Sequence, residues 1–236
     1  MAFSQTITDF WGRRLSNGRR LYSDATFVLT VNPDLEEDSR VMVLQGTDGR
    51  VMAVVTPELE SKLEIAGRPV SSIEAFRQRL IELEVLLNGA DWVFYFSTTG
   101  KQSLEDDRSD GPRKLTAGNS AAFAEFQSAA SEQDLDDAWV ELDHWAVFGA
   151  FEQERLVSAT SAYPWGGAWI ADLGVLTLEP FRGRGHARRL VRSISRYALS
   201  LGYEPQYRCQ VDNNASVALA KAVGLTLFAR WETVLP

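Results

Sequence analysis

The chain has 236 residues, of which 45% are hydrophobic and 24% charged, and its net charge at pH 7 is −8. This is a globular composition, long enough for one large domain or two small ones. An acidic surface disfavours bulk binding to nucleic-acid phosphates, and the N-terminus MAFSQTITDFWGRR has neither signal-peptide order nor a membrane-length apolar run. We therefore expect a cytoplasmic protein with no nucleic-acid and no membrane partner.

Metal and disulfide chemistry are not expected. The single cysteine, Cys209, has no partner within the chain for a disulfide and is expected to be a buried, inert thiol. The two histidines, His144 and His186, are far apart in sequence and belong to no cluster with metal-ligand spacing.

The first hundred residues predict a mixed α/β domain. The Asp48-Gly49 pair is typical of a tight turn that joins two strands as a hairpin. The expected elements are a helix over 4–21, strands ATFVLTV, RVMVLQG and RVMAVVT, helices over about 57–66 and 72–87, and strand DWVFYFS.

A polar stretch with glycine and proline, residues 101–112, predicts a linker, and so divides the chain into domains 1–100 and 113–236. The second domain is also α/β. Its predicted elements are helices in 119–131 and 131–143, a hairpin turning at 152–155, strand 168–178, helix 187–201, strand 205–211, helix 214–222 and strand 225–234.

The junction between strand 168–178 and helix 187–201 predicts an anion site. First turns of helices leave backbone N–H groups unpaired and carry a partial positive charge, and Gly183 and Gly185 allow close approach to that backbone. Segment 182–196 also has six arginines and no acid. Four of them, Arg188, Arg189, Arg192 and Arg196, fall opposite the apolar stripe of the helix, where a solvated face is the alternative interpretation. Gly174 within the strand indicates a bulge or a close backbone approach.

Two other phosphate-binding turns fit poorly. A nucleotide P-loop requires Lys-Ser or Lys-Thr after its glycines, and none follows here. A dinucleotide fingerprint would place its third glycine at Arg188, and too few residues follow Asp212 to complete a doubly wound sheet.

The segment resembles motif A of the GCN5-related N-acetyltransferases, the GNAT family, through Arg182, Gly185 and Ala187. A second block of that family is matched downstream by Asn213, Ser216, Leu219, Gly224 and Leu225. The resemblance covers about half of the chain and implies a mixed sheet splayed around an acyl-coenzyme A. It says nothing direct about residues 1–100, but their predicted hairpin, helices and strand lead us to hypothesise that they are a degenerate second copy of the same fold.

The resemblance implies which residues bind acetyl-CoA, the acyl donor. Backbone groups of Leu176, Thr177 and Leu178 would pair with the pantetheine arm. Asn213 and Ser216 would flank that arm, although an N-cap for the following helix is an alternative role. The pyrophosphate would bind the turn formed by Arg182, Gly183, Arg184, Gly185, His186 and Ala187, with the neighbouring Arg188 adding charge.

For catalysis the resemblance points to Asp172, in the central strand, as the base that deprotonates the amine. The alternative is a structural strand-end carboxylate, and Glu179 is the reserve base. Many family members have a tyrosine after the leucine that corresponds to Leu219, where this chain has Ala220. That leaves the acid to Tyr207 or to solvent.

The expected function is N-acylation, with an acetyl group moving from acetyl-CoA to an amine of a small molecule or peptide by direct attack in a ternary complex. The acceptor would lie near the loop YPWGGAW (163–169) and an acidic group over 132–143, although core packing of the aromatics and a solvated face for the acids are the favoured interpretations of these residues. A non-catalytic acyl-CoA sensing module is the alternative function.

Overall fold

A computed structural model describes residues 2–65, 70–105 and 112–234. Over these residues the chain forms two compact units. The larger unit comprises Met1–Thr6, Phe94–Arg208 and Ala215–Thr226, and the smaller unit comprises Ile7–Val93, Cys209–Asn214 and Leu227–Pro236.

The first part of the chain alternates helices with short strands, as predicted. Its elements are α1 (Gln5–Ser16), β1 (Arg19–Ser23), β2 (Phe27–Val31), β3 (Val41–Gly46), β4 (Val51–Val55), α2 (Pro57–Ile65), α3 (Ile73–Glu82) and β5 (Asp91–Tyr95). The expected hairpin is confirmed, since β3 and β4 pair in antiparallel fashion on either side of Gly49, whose φ is +85°.

Two helices are shorter than predicted. The helix expected over 4–21 ends at Ser16, because Gly18 takes a φ of +116° and the chain then turns into β1, which pairs with β2. The helix expected over 72–87 ends at Glu82, because Glu84 lies in the left-handed region with a φ of +57°. In both places backbone dihedrals, which an apolar period does not encode, decide the helix end.

The second part of the chain follows the predicted order of elements. They are α4 (Thr98–Glu105), β6 (Arg113–Lys114), α5 (Ser120–Ser128), α6 (Glu132–Ala138), β7 (Ala146–Glu152), β8 (Arg155–Pro164), β9 (Ile170–Thr177), α7 (His186–Ser200), β10 (Glu204–Gln210), α8 (Asn214–Val223) and β11 (Thr226–Thr233). The sequence analysis missed α4, the two-residue β6 and, in the first part of the chain, β1.

The smaller unit has strands in the order β1-β2-β4-β3-β11, with one parallel pair, β2 with β4. Its hydrophobic core joins these strands to α2 and α3 through side chains that include Phe27, Leu59 and Phe76. The hypothesis that residues 1–100 are a degenerate second copy of the GNAT fold stays a prediction.

In the larger unit the strand order is β10-β9-β8-β7-β6, antiparallel except for the parallel pair β9 and β10. Neighbouring residues of a strand point to opposite faces of the sheet. Val147 of β7 packs in a core with Phe123 and Phe126 of α5, whereas the next residue, Phe148, contacts the ring of Tyr197 on α7. Helices α5 and α7 therefore cover opposite faces of this sheet.

One arginine predicted opposite the apolar stripe of α7 is buried. Arg192 donates hydrogen bonds to the carbonyl of Val223 at the end of α8 (2.8 Å) and to that of Ser103 in α4 (3.0 Å). The alternative of a solvated face is therefore wrong for Arg192, because these two helix carbonyls need a buried donor. Arg192 thus joins three helices of the larger unit.

The predicted linker, 101–112, begins inside α4, and residues 106–111 lie outside the described residues. The compact units also interleave along the sequence instead of dividing once. The division into independently folding domains 1–100 and 113–236 stays a prediction.

Gly174 of β9 lies where the sheet packs closely against the end of α6. The register of β8 and β9 runs through Gly174 without a shift, and a Cβ there would lie 2.1 Å from the carbonyl oxygen of Ala138. This confirms a close approach in place of a bulge. We expect Gly174→Ala to destabilise the fold by about 3 kcal/mol, the upper part of the usual range for overpacking, as measured by thermal unfolding.

Gly12→Ala is the matched control, because a Cβ at this exposed position in the interior of α1 meets no atom within 4 Å. It should stabilise by about 0.5–1 kcal/mol. Equal unfolding midpoints for the two variants would contradict the packing of β9 against α6.

Candidate active site

The site begins where β9 and β10 stop pairing. Their parallel register runs from the pair Ile170 and Glu204 to the pair Leu173 and Tyr207, yet β9 continues to Thr177 and β10 to Gln210. Beyond Leu173, β9 is paired only with β8 over the described residues. An opening therefore lies between the two strands.

The predicted pantetheine-binding residues lie along this opening. The side chains of Leu176 and Leu178 are buried in the hydrophobic core with Phe126, so only their backbone groups could meet a ligand. Other hydrogen bonds hold this segment from the far side: the backbone N–H of Leu178 donates to the carbonyl of Val157 (3.0 Å), and the Ser158 hydroxyl donates to that of Leu176 (2.9 Å).

The turn before α7 exposes a run of free backbone donors. Gly183 and Gly185 have φ values of +76° and +77°, and Gly185 caps the N-terminus of α7. Arg182 donates its backbone N–H to Glu179 and Arg189 donates to Gly185, whereas within the described structure the N–H groups of residues 183–188 have no backbone acceptor. Free donors, a helix dipole and glycines make this turn suited to an anion.

The arginines of the turn are held by neighbouring acids. The Arg182 guanidinium donates to Asp134 (2.8 Å) and to the carbonyl of Thr177 (3.1 Å). That of Arg184 donates to Glu152 (2.9 Å) and to the carbonyl of Pro180 (3.0 Å).

These contacts shape the turn, while Arg188 is exposed and, in the part of the chain that the structure describes, makes no hydrogen bond or ion pair through its side chain. Arg188 is therefore the arginine of the turn best placed to meet an incoming anion.

His186 has a buried side chain, and both of its ring nitrogens have partners within the protein. Its Nε2 lies 2.7 Å from Glu152 and its Nδ1 lies 3.0 Å from Arg189. The structure thus leaves His186 only its backbone N–H for the predicted contact with the cofactor. Ala187, half-buried in the first turn of α7, contributes in the same way.

Asn213 and Ser216 lie around the start of α8. The Asn213 backbone N–H donates to the carbonyl of Gln210 (3.0 Å), and Ser216 is in the first turn of the helix, half-buried. Asn213 immediately precedes Asn214, the first residue of α8, which suits the alternative capping role. Their contact with acyl-CoA stays a prediction.

Asp172 is buried, with 5% of its surface exposed, and both of its carboxylate oxygens accept hydrogen bonds. Arg208 donates to it from Nη2 at 2.6 Å, Gln206 from Nε2 at 2.9 Å and the Tyr163 hydroxyl at 2.9 Å. Gln206 in turn contacts the hydroxyl of Tyr95. The predicted base is therefore an ion-paired carboxylate at the mouth of the opening, which favours a structural role, and its role as a base stays a prediction.

The remaining catalytic candidates are poorly placed. Glu179 is exposed at the start of the short turn that precedes Arg182. Ala220 has no exposed surface, so there is no room for the missing tyrosine without displacing its neighbours. Tyr207 is buried and packs against Phe94.

The sequence analysis considered Tyr163 and Trp165 in the loop near the acceptor, but it missed that Trp139 and His144 join Tyr163 in an aromatic group on the α6 face of the sheet. Trp139, His144 and Tyr163 lie with ring centroids 4.7–5.2 Å apart, and Trp165 lies under the Arg208 guanidinium at 5.0 Å. Trp139 ends α6 in the left-handed region with a φ of +41° and is 54% exposed. The expected solvation of the acids over 132–143 is only partly correct, because Asp134 binds Arg182.

Two side chains of this aromatic group, His144 and Tyr163, have pKa values shifted in opposite directions. Burial lowers the pKa of His144, against the smaller opposite effect of the Asp143 and Glu141 carboxylates. Burial also raises the pKa of Tyr163, and the Asp172 carboxylate adds to that rise. At neutral pH both side chains are therefore uncharged.

Residues 2–65, 70–105 and 112–234 contain no group of three or more His, Cys, Asp or Glu side chains that could hold a metal ion. None of the helices in these ranges has the length and apolar character that a membrane crossing needs.

Comparison with known proteins finds a family match in the second half of the chain. The acetyltransferase (GNAT) family model matches residues 116–225. None of the curated protein sequences matches the chain.

Two solved structures share the fold. One, described as a GNAT acetyltransferase from Novosphingobium aromaticivorans, has a TM-score of 0.51 and 17% identity over 64% of this chain and 65% of its own length, a little under two thirds. The other, a GNAT acetyltransferase from Colwellia psychrerythraea, has a TM-score of 0.54 and 16% identity over 82% of this chain and 80% of its own. At these identities the likeness establishes the fold, and confirms the predicted mixed sheet.

The ion pair of Asp172 and Arg208 predicts a large stability effect. Removing the carboxylate in Asp172→Ala leaves a mostly buried guanidinium without its partner, and we expect a loss of about 3 kcal/mol in chemical denaturation. The control is Glu58→Ala, which removes an exposed helical ion pair with Lys62 and should leave the midpoint unchanged. A small loss of stability in Asp172→Ala would contradict a tightly held buried ion pair and would favour Asp172 as the base.

Proposed function

We propose that this chain, whose residues 116–225 match the GNAT acetyltransferase family model, is an acyltransferase that moves an acetyl group from acetyl-CoA to an amine of a small molecule or peptide. The transfer would occur by direct attack of the amine on the thioester while both substrates are bound.

One observation carries this proposal. The turn before α7 presents the backbone N–H groups of residues 183–188 without backbone acceptors, next to two glycines with positive φ. The Arg182 and Arg184 side chains are already committed to Asp134 and Glu152, so an anion would be recognised mainly by main-chain donors, with Arg188 adding charge. A pyrophosphate, with two adjacent charged groups, matches such a run of donors.

The opening between β9 and β10 supports the same ligand. An extended arm that leaves the turn could pair with the free edge of β9 beyond Leu173, since Leu176 and Leu178 keep their side chains in the core. This would place the reactive end of the ligand near Gly174, on the side of the sheet where Tyr163 and Trp139 lie.

The chemistry asks two things of the chain. A lysine-like amine with a pKa near 10.4 is neutral in only about one molecule in 10^3.4 at pH 7, so a base raises the reactive fraction. The thiol that leaves has a pKa near ~8.5, so the lack of a dedicated acid, whose help is typically worth about 10²–10⁴ in rate, slows the reaction and does not forbid it. A buried Ala220 in place of an acidic group is thus compatible with turnover.

Binding is tested first. We expect acetyl-CoA to bind the wild-type protein in calorimetry, and Gly183→Val to abolish this binding because a β-branched side chain would block the backbone donors. Gly202→Val is the matched control: both glycines have a positive φ, +76° and +83°, and a Cβ at either meets no atom within 4 Å. Equal loss in both variants would mean that strain, and not the turn, accounts for the effect.

Turnover is tested with a panel of amines, small molecules and peptides, by release of free thiol from acetyl-CoA. We expect thiol release that depends on the amine and yields the acetylated product by mass spectrometry. Tight binding of acetyl-CoA with no turnover across a broad panel would instead favour a non-catalytic acyl-CoA sensor. The observation that favours this second function is that the carboxylate oxygens of Asp172, the predicted base, already accept hydrogen bonds from Arg208 and Tyr163.

A further inference from the structure

We infer that His144 is the base that deprotonates the amine, with Ser161 orienting its ring and Asp172 acting as a positioning residue through Tyr163. This inference rests on the proposed function and names a residue that the sequence analysis considered only as a metal ligand.

The position of His144 follows from the opening between β9 and β10. Gly174 is the first residue of β9 beyond the last pair with β10, and its register partner on β8 is Ser161. Directly opposite residues of two antiparallel strands share a face of the sheet. The Nδ1 of His144 lies 2.8 Å from the Ser161 hydroxyl, so the imidazole stands beside the start of the opening.

The hydrogen bond to Ser161 suits a base. If Nδ1–H donates to the serine oxygen, Nε2 keeps its lone pair and is free to accept a proton. The same Nδ1–H donation persists when the ring is protonated, so Ser161 supports both states. Within the described residues Nε2 makes no hydrogen bond, and the ring is only half-buried, which leaves that atom within reach of an acceptor.

The surroundings keep the ring neutral before the reaction. The groups that face it are the Ser161 hydroxyl and the Tyr163 ring of β8, Trp139 at the end of α6, and the carboxylates of Asp143 and Glu141 on its own segment. Burial lowers the pKa of His144 by more than the two carboxylates raise it. A neutral imidazole at pH 7 can accept a proton at once.

Asp172 is the less suitable base. A proton on either of its oxygens would have to displace a donor, since Arg208, Gln206 and Tyr163 already occupy both. Its hydrogen bond to Tyr163 instead fixes the ring that stands 5.1 Å from His144, centroid to centroid. Tyr163 in turn contacts Trp139, so the Asp172 carboxylate holds the aromatic side chains beside His144 in position through Tyr163.

The transfer balances with one base. The ammonium form of the acceptor gives one proton to Nε2 of His144 and becomes a neutral amine. Its nitrogen then bonds to the acyl carbon, the carbon–sulfur electron pair leaves on sulfur, and the second nitrogen proton passes to the thiolate. The products are an amide, a free thiol and an imidazolium, which returns its proton to solvent.

The test uses His144→Ala in the full chain, with an amine that the wild-type protein acetylates. We expect kcat/KM at pH 7 to fall by about 10²–10⁴ while calorimetric affinity for acetyl-CoA stays the same, and added imidazole to restore part of the rate. In the wild type the rate should fall as pH drops through the lowered pKa of His144. We call this fall the acid limb of the pH–rate profile. In the variant the acid limb should be absent, and the rate should follow only the pKa of the amine.

Ser161→Ala should lower kcat/KM by about tenfold, the loss of one orienting hydrogen bond, and Ser195→Ala is its control. Ser195 is a buried serine of α7 whose hydroxyl has no partner among the described residues, so its removal should leave the rate unchanged.

The inference would be overturned if the acid limb persisted in His144→Ala, or if added imidazole restored none of the kcat/KM lost in that variant. It would also be overturned if the acid limb were absent only in Asp172→Asn. Absence of turnover in the wild type would instead refute the proposed function itself.

Discussion

The geometry of the larger unit depends on where β9 and β10 stop pairing. After Leu173 and Tyr207 the two strands no longer share hydrogen bonds, and the ion pair of Asp172 and Arg208 joins them across this point. A buried ion pair adds little net stability compared with apolar packing, but it is costly to break once formed. It therefore defines one separation of the strands, and it does so at the place where a ligand arm would begin to pair with β9.

The turn before α7 complements this opening, but its binding role depends on main-chain donors and not on an ion pair between strands. Its recognition elements are main-chain N–H groups, while the nearby acids Glu152 and Asp134 hold the side chains of Arg184, His186 and Arg182 in place. Such a turn is organised before any ligand arrives, so little conformational entropy remains to be lost on binding. An acidic protein can in this way bind a strongly anionic substrate, because the positive field is local and comes from the helix terminus.

The sequence predicted the order of strands and helices in the second half well, because each element there has a clear apolar period and the Gly183 turn interrupts it. It could not predict what the side chains of the site contact. Asp172 meets Arg208 only because β9 and β10 are neighbours, and His144 meets Ser161 only because β7 and β8 form a hairpin. Arg192 follows a helical period that places it on the polar face, yet the carbonyls of two other helices bury it. These are long-range contacts, which no local pattern records.

Hydrogen–deuterium exchange tests the central claim most directly, because the proposed ligand contacts are themselves backbone amides. With acetyl-CoA at saturation, the account predicts slower exchange in peptides that cover residues 182–188 and 174–178, with little change in those covering the strands of the smaller unit, such as β1 and β2. Saturating binding, shown in parallel by calorimetry, with unchanged exchange over 182–188 would contradict the assignment of the turn before α7 as the site of the acyl donor.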